Sequence, residues 1–274
     1  MYNGREVIAT LTSIPARMDY LHYTVETILA QDYPADRVVL SIPKHSKRLK
    51  GEKYKISKEI QKLVDEGKIE LLRCEDYGPA TKLLGVLKRE MGKSKDTEPI
   101  IITFDDDVMY HSNAINNLLD SDDVENGSVV CRKGAVLYKS DVPWGYEESL
   151  GTCVFLKKKT RVDILFGCGG AAYRPSFFDD RIFEHEVDGA FYVDDIHISG
   201  NLARNGVDIY VLPASPSRWQ KSVFDEGFSN SIDQATRNSR VHALSKINLD
   251  VTHTIDTLTH FEPWFEFSLG STTG

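Results

Sequence analysis

The chain has 274 residues, with 33 Lys+Arg against 41 Asp+Glu and a formal net charge of −8. Apolar residues make up 41 % and charged residues 27 %; this is ordinary globular composition and excludes collagen, a disordered tail and a disulfide scaffold. The acidic balance argues against non-specific nucleic-acid binding, which relies on Lys and Arg neutralising phosphates, and against a polybasic membrane patch.

Cys74, Cys131, Cys153 and Cys168 form no Cys-x-x-Cys pair and read as free thiols in a reducing compartment. The apolar run near the N-terminus is too short for a secretory leader, and no stretch reaches the length of a membrane span. The expectation is a soluble, cytoplasmic protein.

Val7–Leu11 is a short apolar run, read as a buried strand. A helix follows from about Tyr20 to Gln31, with Leu21, Val25, Ile28 and Leu29 on one face and Pro34 just beyond. Val38–Ile42 is a second strand, stopped by Pro43, and the lysine-rich stretch Lys44–Lys55 reads as an exposed loop. Ile56–Asp65 is an amphipathic helix with Gly67 as its C-cap, and Ile69–Leu72 a third strand. Gly78-Pro79 opens a helix running to about Met91. Ile100–Phe104 is apolar nearly throughout, as a central strand covered on both faces should be. This alternation predicts a mostly parallel α/β sheet.

The second half is less regular. Asn113–Leu119 reads as a short helix and Ser128–Cys131 as a strand, while residues 132–162 have no clear period. Gly167–Tyr173 is rich in Gly and Ala. Asp194 or Asp195 caps a helix ending at Gly206, and Val207–Leu212 is a last strand. No repeat or linker interrupts the chain, so residues 1–274 read as one continuous fold.

Five segments carry residues suited to chemistry. Asp105-Asp106-Asp107 directly follows Ile100–Phe104; open α/β sheets bind ligands at the carboxyl ends of their strands. Three adjacent carboxylates repel unless a cation offsets them, and Mg²⁺ or Mn²⁺ bridges such carboxylates to substrate phosphates; a solvated acidic turn is the inert alternative. Asp194-Asp195 lies among apolar residues, where a carboxylate with a raised pKa can act as general base, or simply cap a helix. Thr10, Thr12 and Arg17 end the first strand and suit a nucleotide base or phosphate. Asp76–Lys82 sits at a strand-to-helix junction, where helix N–H groups and a lysine suit an anion. Phe166–Arg174 contains Gly167, Gly169 and Gly170, which permit close backbone approach to a ligand. His242, His253 and His260 follow the last strand, and one of them could complete a metal site with Asp107; Trp144 and Tyr146 could stack on a sugar ring or pack in the core.

Taken in order, these parts resemble a glycosyltransferase of the GT-A fold, over roughly residues 6–213. The stretch Asp194-Asp195-Ile196-His197-Ile198-Ser199-Gly200-Asn201-Leu202-Ala203 looks particularly like small bacterial and viral members. The resemblance implies a Rossmann-like nucleotide-diphospho-sugar transferase fold, with a mostly parallel sheet and a smaller mixed second half. Residues from about 6 to 110 would bind the nucleotide-sugar, 111–213 the acceptor, and 214–274 would form a tail packed on the body. Asp105 would lie near the donor ribose, and Asp107 would bind the Mn²⁺ or Mg²⁺ that bridges the diphosphate. Asp106 could assist either; Thr10, Thr12, Arg17 and Lys82 would surround the nucleotide. Gly169 and Gly170 would face the donor sugar and acceptor. Asp195, with Asp194 as the second candidate, would be the base in an inverting transfer. The implied activity is that of a hexosyl- or pentosyltransferase using a nucleotide-sugar, most often a UDP-sugar, and a glycan hydroxyl.

Three other readings compete. A haloacid-dehalogenase-like phosphatase also places Asp-x-Asp after an apolar strand and uses Mg²⁺, but its motif needs Thr or Val where this chain has Met109. A sugar-phosphate nucleotidyltransferase needs a glycine-rich loop after the first strand, and Thr10–Arg17 contains no glycine. A non-catalytic carbohydrate-binding protein on a transferase scaffold is opposed by the presence of Asp105, Asp107 and Asp195.

Overall fold

The computed structural model describes residues 1–121, 123–138, 145–146, 158–213, 221–222 and 251–265. Its main sheet has eight strands: β1 (Val7–Leu11), β2 (Arg37–Pro43), β3 (Glu70–Cys74), β4 (Ile100–Phe104), β5 (Val129–Cys131), β6 (Thr160–Val162), β7 (Ala171–Tyr173) and β8 (Ile209–Val211). Their order across the sheet is β6-β8-β5-β7-β4-β1-β2-β3. β1 runs parallel to β2 and β4, β2 to β3, and β5 to β8. β7 runs antiparallel between β4 and β5, and β6 antiparallel on the edge beside β8.

Six helices accompany the sheet among the described residues: α1 (Leu21–Leu29), α2 (Lys58–Asp65), α3 (Thr81–Glu90), α4 (Ala114–Leu119), α5 (Asp194–Arg204) and α6 (Val251–Phe261). Side chains alternate across a strand, so β1 serves two layers. Val7, Ala9 and Leu11 pack with α1, α2 and α4, whereas Ile8 packs with α3 and α5. Every residue of β1 and β4 is buried, the pattern of central strands covered on both faces. Local signals agree with this packing. Ser57 Oγ accepts the Ile60 N–H at 3.3 Å and caps α2, and Gly67 ends that helix at φ +67°. A 3-10 turn, Gly78–Ala80, leads into α3.

Three expectations are corrected, and one strand that the sequence did not signal is added. Pro43 is the last residue of β2 instead of lying beyond it, because an end residue can go without donating to the ladder. Lys44–Lys55 is not merely a loop: His45–Ser46 pairs antiparallel with Glu52–Lys53, and Ser46 is buried. Ala171–Tyr173 is a fully buried strand; its Ala-Ala-Tyr sequence lacks the β-branched residues by which strands are recognised. Neither Asp194 nor Asp195 is the N-cap of α5. Val193 holds that position with no side-chain bond, and both aspartates lie in the first turn.

Of the residues after the last sheet strand, α6 packs in the described part: Leu258, Phe261 and Phe265 join Ile196 and Ile164 in a small apolar cluster. Trp144, Cys153 and His242 lie outside the described residues, and the backbone of Tyr146 pairs with Leu137 in a two-residue ribbon. No described helix is long and apolar enough to cross a membrane.

Candidate active site

A cleft of about 310 Å³ opens where the carboxyl ends of β1 and β4 meet the first turn of α5. The acidic turn after β4 forms its floor. Asp106 accepts from Ser13 Oγ and from Arg17 Nη1, both at 2.6 Å, and its backbone carbonyl accepts from Thr24 Oγ1 of α1 at 2.9 Å. Arg17 Nη1 also lies 3.2 Å from Asp107 Oδ2. Burial works against the charge on Arg17, but Asp106 and Asp107 outweigh it and raise its pKa. Asp107 is pushed up to about 6, by burial first and by Asp106 next, with Arg17 pulling the other way. The Asp105 N–H donates to the hydroxyl of Tyr110 at 2.8 Å, and that hydroxyl donates to the Cys168 carbonyl at 3.4 Å. Tyr110 therefore ties the acidic turn to the glycine-rich segment.

Lys82 stands at the centre. Its Nζ donates to Asp105 Oδ1 at 2.6 Å and forms an ion pair with Asp194 Oδ2 at 3.0 Å. Burial penalises the ammonium, yet Asp105, Asp194 and Asp195 together hold its pKa well above the ordinary lysine value. Thr10 Oγ1 donates to the Lys82 carbonyl at 2.7 Å and fixes the start of α3 to β1.

Asp195 lies in the first turn of α5 and lines the cleft. Its Oδ1 accepts the Gly167 N–H at 2.9 Å. Ser199 Oγ donates to the Asp195 carbonyl at 2.6 Å and accepts the Leu165 N–H at 3.0 Å. One serine thus aligns the 164–167 segment with the first turn of α5. Burial, then Asp194, push the Asp195 carboxyl up to about 8, while Lys82 and the Gly167 N–H oppose that rise. A carboxylate poised near neutrality is suited to proton abstraction, and the positive end of the helix dipole favours its ionised form.

The structure brings together Thr12, Arg17, Lys82, Asp105, Asp106, Asp107, Asp194 and Asp195 around this cleft. Thr12 Oγ1 is buried there without a hydrogen-bond partner among the described residues. Three of the residues expected at the site do not face it. Thr10 is fully buried within β1, its side chain turned to the α3 layer. At Gly169 a Cβ would press on Arg132 at 2.5 Å, and at Gly170 on Leu118 at 3.2 Å, so both pack away from the cleft. The glycine that matters is Gly167, where a Cβ would stand 2.8 Å from Lys82 Nζ and 3.3 Å from Asp195 Oδ1. His253 stacks on Tyr192 with ring centroids 4.5 Å apart, and His260 Nε2 lies 3.1 Å from Glu186; neither lines the cleft.

Reading the sequence did not single out Arg48, Tyr54 or Tyr110. The first two come from the hairpin after β2 and line the cleft; aromatic and arginine residues inside a lysine-rich run were the available signal.

Among the described residues no group of three or more His, Cys, Asp or Glu converges as a ready metal cage. The donor set still fits a hard divalent ion. Asp107 is a half-buried carboxylate whose pKa is raised by burial first and then by its neighbour Asp106, and Mg²⁺ commonly takes one or two carboxylates with substrate phosphates and water completing its shell.

A central sheet of mixed direction carries an acidic turn at the end of its middle strand, and an acid pair opens a helix across the cleft; the sheet and its flanking helices are those of the GT-A fold. A family model described as "Glycosyltransferase like family 2" matches residues 7–240, and the chain belongs to that family. The fold is the Rossmann-like GT-A arrangement, and the role the family supports is glycosyl transfer. No curated protein matches the chain.

Proposed function

We propose that the chain moves a sugar from a nucleotide-diphosphate donor, a UDP-sugar in the first instance, to a hydroxyl of a glycan acceptor, with inversion and with Mn²⁺ or Mg²⁺ as cofactor. One observation carries this reading. A carboxyl held near neutrality, Asp195, and a half-buried acidic turn, Asp105–Asp107, share one cleft bridged by Lys82.

Asp195 takes the proton of the acceptor hydroxyl, and that oxygen attacks the anomeric carbon from the side opposite the departing nucleotide diphosphate. Asp107 would hold the divalent ion, which when bound supplies positive charge against the leaving diphosphate. Lys82 keeps Asp105 and Asp194 in place. Its charge also limits the rise of the Asp195 pKa. Asp106, held by Ser13 and Arg17, fixes the turn. Thr12 offers a free hydroxyl to the nucleotide.

The domain organisation belongs to the same reading: one unit, with residues 6–110 serving the donor, 111–213 the acceptor and the tail packed on the body. A reducing, cytoplasmic setting suits Cys74, Cys131 and Cys168, which are free thiols.

The test is thermal melting against UDP, GDP and their sugars, each with Mn²⁺ and with chelator, followed by transfer assays with whichever donor binds. A ligand at about 100 times its Kd adds about 2.7 kcal/mol. A metal-dependent shift with one nucleotide family supports the reading; stabilisation by phosphate analogues alone, with Mg²⁺, would replace it with a phosphatase.

A further inference from the structure

The cleft contains three cationic side chains, and two are committed to carboxylates. Arg17 is held by Asp106 and Asp107, and Lys82 by Asp105 and Asp194. Arg48 is different. Its Nε and one terminal nitrogen are buried without a hydrogen-bond partner among the described residues. Buried polar groups are nearly always hydrogen-bonded, so an exception calls for a specific explanation.

Arg48 is not a surface side chain that happens to lean inward. The turn that carries it is pinned. Asp76 is buried, and its two oxygens accept the Lys47 N–H at 2.6 Å and the Gly78 N–H at 2.8 Å. Ser46 Oγ accepts the Leu49 N–H at 3.2 Å. These bonds lock the hairpin to the turn that begins α3, with Arg48 lining the cleft beside Tyr54. The charged groups acting on it include Asp194, Tyr192, Arg17 and Asp76. Burial lowers its pKa from the ordinary arginine value, as expected of a cation awaiting its counter-charge.

We propose that Arg48 binds the diphosphate of the donor, as a second positive clamp independent of the metal. The guanidinium presents a planar fork that matches phosphoryl oxygens two at a time, and its unpartnered nitrogens are the donors such a contact uses. A neutral acceptor sugar would leave the charge uncompensated. The proposal rests on the reading of the cleft as a nucleotide-sugar site, and the experiment separates the two.

Calorimetric titration compares UDP and GDP with their nucleotide-sugars and with uridine and guanosine, on the parent chain and on Arg48→Gln and Arg48→Lys, each with chelator and with Mn²⁺. The expected result is a loss of at least tenfold in diphosphate affinity for Arg48→Gln in both conditions. Nucleoside affinity changes less than twofold, Arg48→Lys recovers part of the loss, and the thermal midpoint does not fall. Unchanged diphosphate affinity in Arg48→Gln overturns the proposal and leaves the transferase reading standing. Equal losses for nucleoside and diphosphate overturn it too, by showing that Arg48 only shapes the hairpin. A loss confined to nucleotide-sugars and absent for UDP and GDP overturns it in favour of an acidic sugar as the group recognised. A parent chain that binds no nucleotide removes the underlying reading, and the proposal with it.

Discussion

Gly167 gives its N–H to Asp195 Oδ1 at 2.9 Å, and its missing side chain leaves room for the Lys82 ammonium. The proposed base and the cation that restrains it therefore meet at a residue with no Cβ. Gly167→Ala forces Lys82 or Asp195 to move. Overpacking of this kind costs about 1–3 kcal/mol, and a displaced base loses rate through geometry. The expected outcome is a modestly lower thermal midpoint with a much larger fall in kcat, read from melting curves beside transfer kinetics. A fall in midpoint with kcat intact would show that the contact serves only packing.

Asp195→Asn removes the proton acceptor and preserves shape. We expect kcat to fall by about 10²–10⁴, with donor Kd unchanged by titration. Parent-like turnover in this variant, with Asp194→Asn inactive, would transfer the role to the neighbouring carboxylate.

The same substitution has a signature in stability. The folded state raises the Asp195 pKa to about 8, above the ordinary value of 3.8. The group's contribution is therefore fully present below the unfolded pKa and is lost as pH rises through the folded one. In chelator, the stability of Asp195→Asn relative to the parent should grow from about pH 4 to about pH 8 and then level, as denaturant titration across pH would show. Catalysis runs the opposite way, since the base works ionised: the rate rises with pH along the acid limb.

Lys82→Met strips the shared cation from Asp105 and Asp194. Removing one partner of a buried ion pair costs about 3–5 kcal/mol, and Lys82 is only 6 % exposed. Because Lys82 lowers the Asp195 pKa, its loss moves the acid limb to still higher pH. Lys82→Arg should restore much of the stability, and the two pH–rate profiles distinguish charge from shape.

For Asp107→Ala, the expected outcome is loss of the Mn²⁺-dependent part of nucleotide binding, with the binding seen in chelator retained. Titration of UDP with and without Mn²⁺ checks this; equal metal enhancement in the variant would remove Asp107 from the metal site.

Much of this site was legible because its residues sit where backbone rules put ligands. Ile100–Phe104 announced a central strand, and the three aspartates after it had to fall at a carboxyl end. Asp194-Asp195 stood out as paired charge in apolar surroundings. What stayed hidden depends on distant contacts. Arg48 and Tyr54 lie in a run whose lysines suggest solvent, and only the Asp76 anchor turns that run into a wall of the cleft. Among neighbouring glycines, nothing local separates Gly167 from Gly169 and Gly170; the distinction comes from Lys82 and Arg132, far away in the chain. Thr10 carries the right hydroxyl, but alternation along β1 turns it toward α3.

The ring of Phe261 fills the space against Gly200, where a Cβ would come within 2.1 Å of it. Gly200 lies on the helix that opens with Asp194 and Asp195, so the last described helix acts as a buttress for the acid pair from the far side. Warming that frees Phe261 would let the pair drift before the sheet itself gives way. The temperature at which transfer fails should then lie below the temperature at which the sheet melts, and the interval between them would gauge how firmly the buttress is seated.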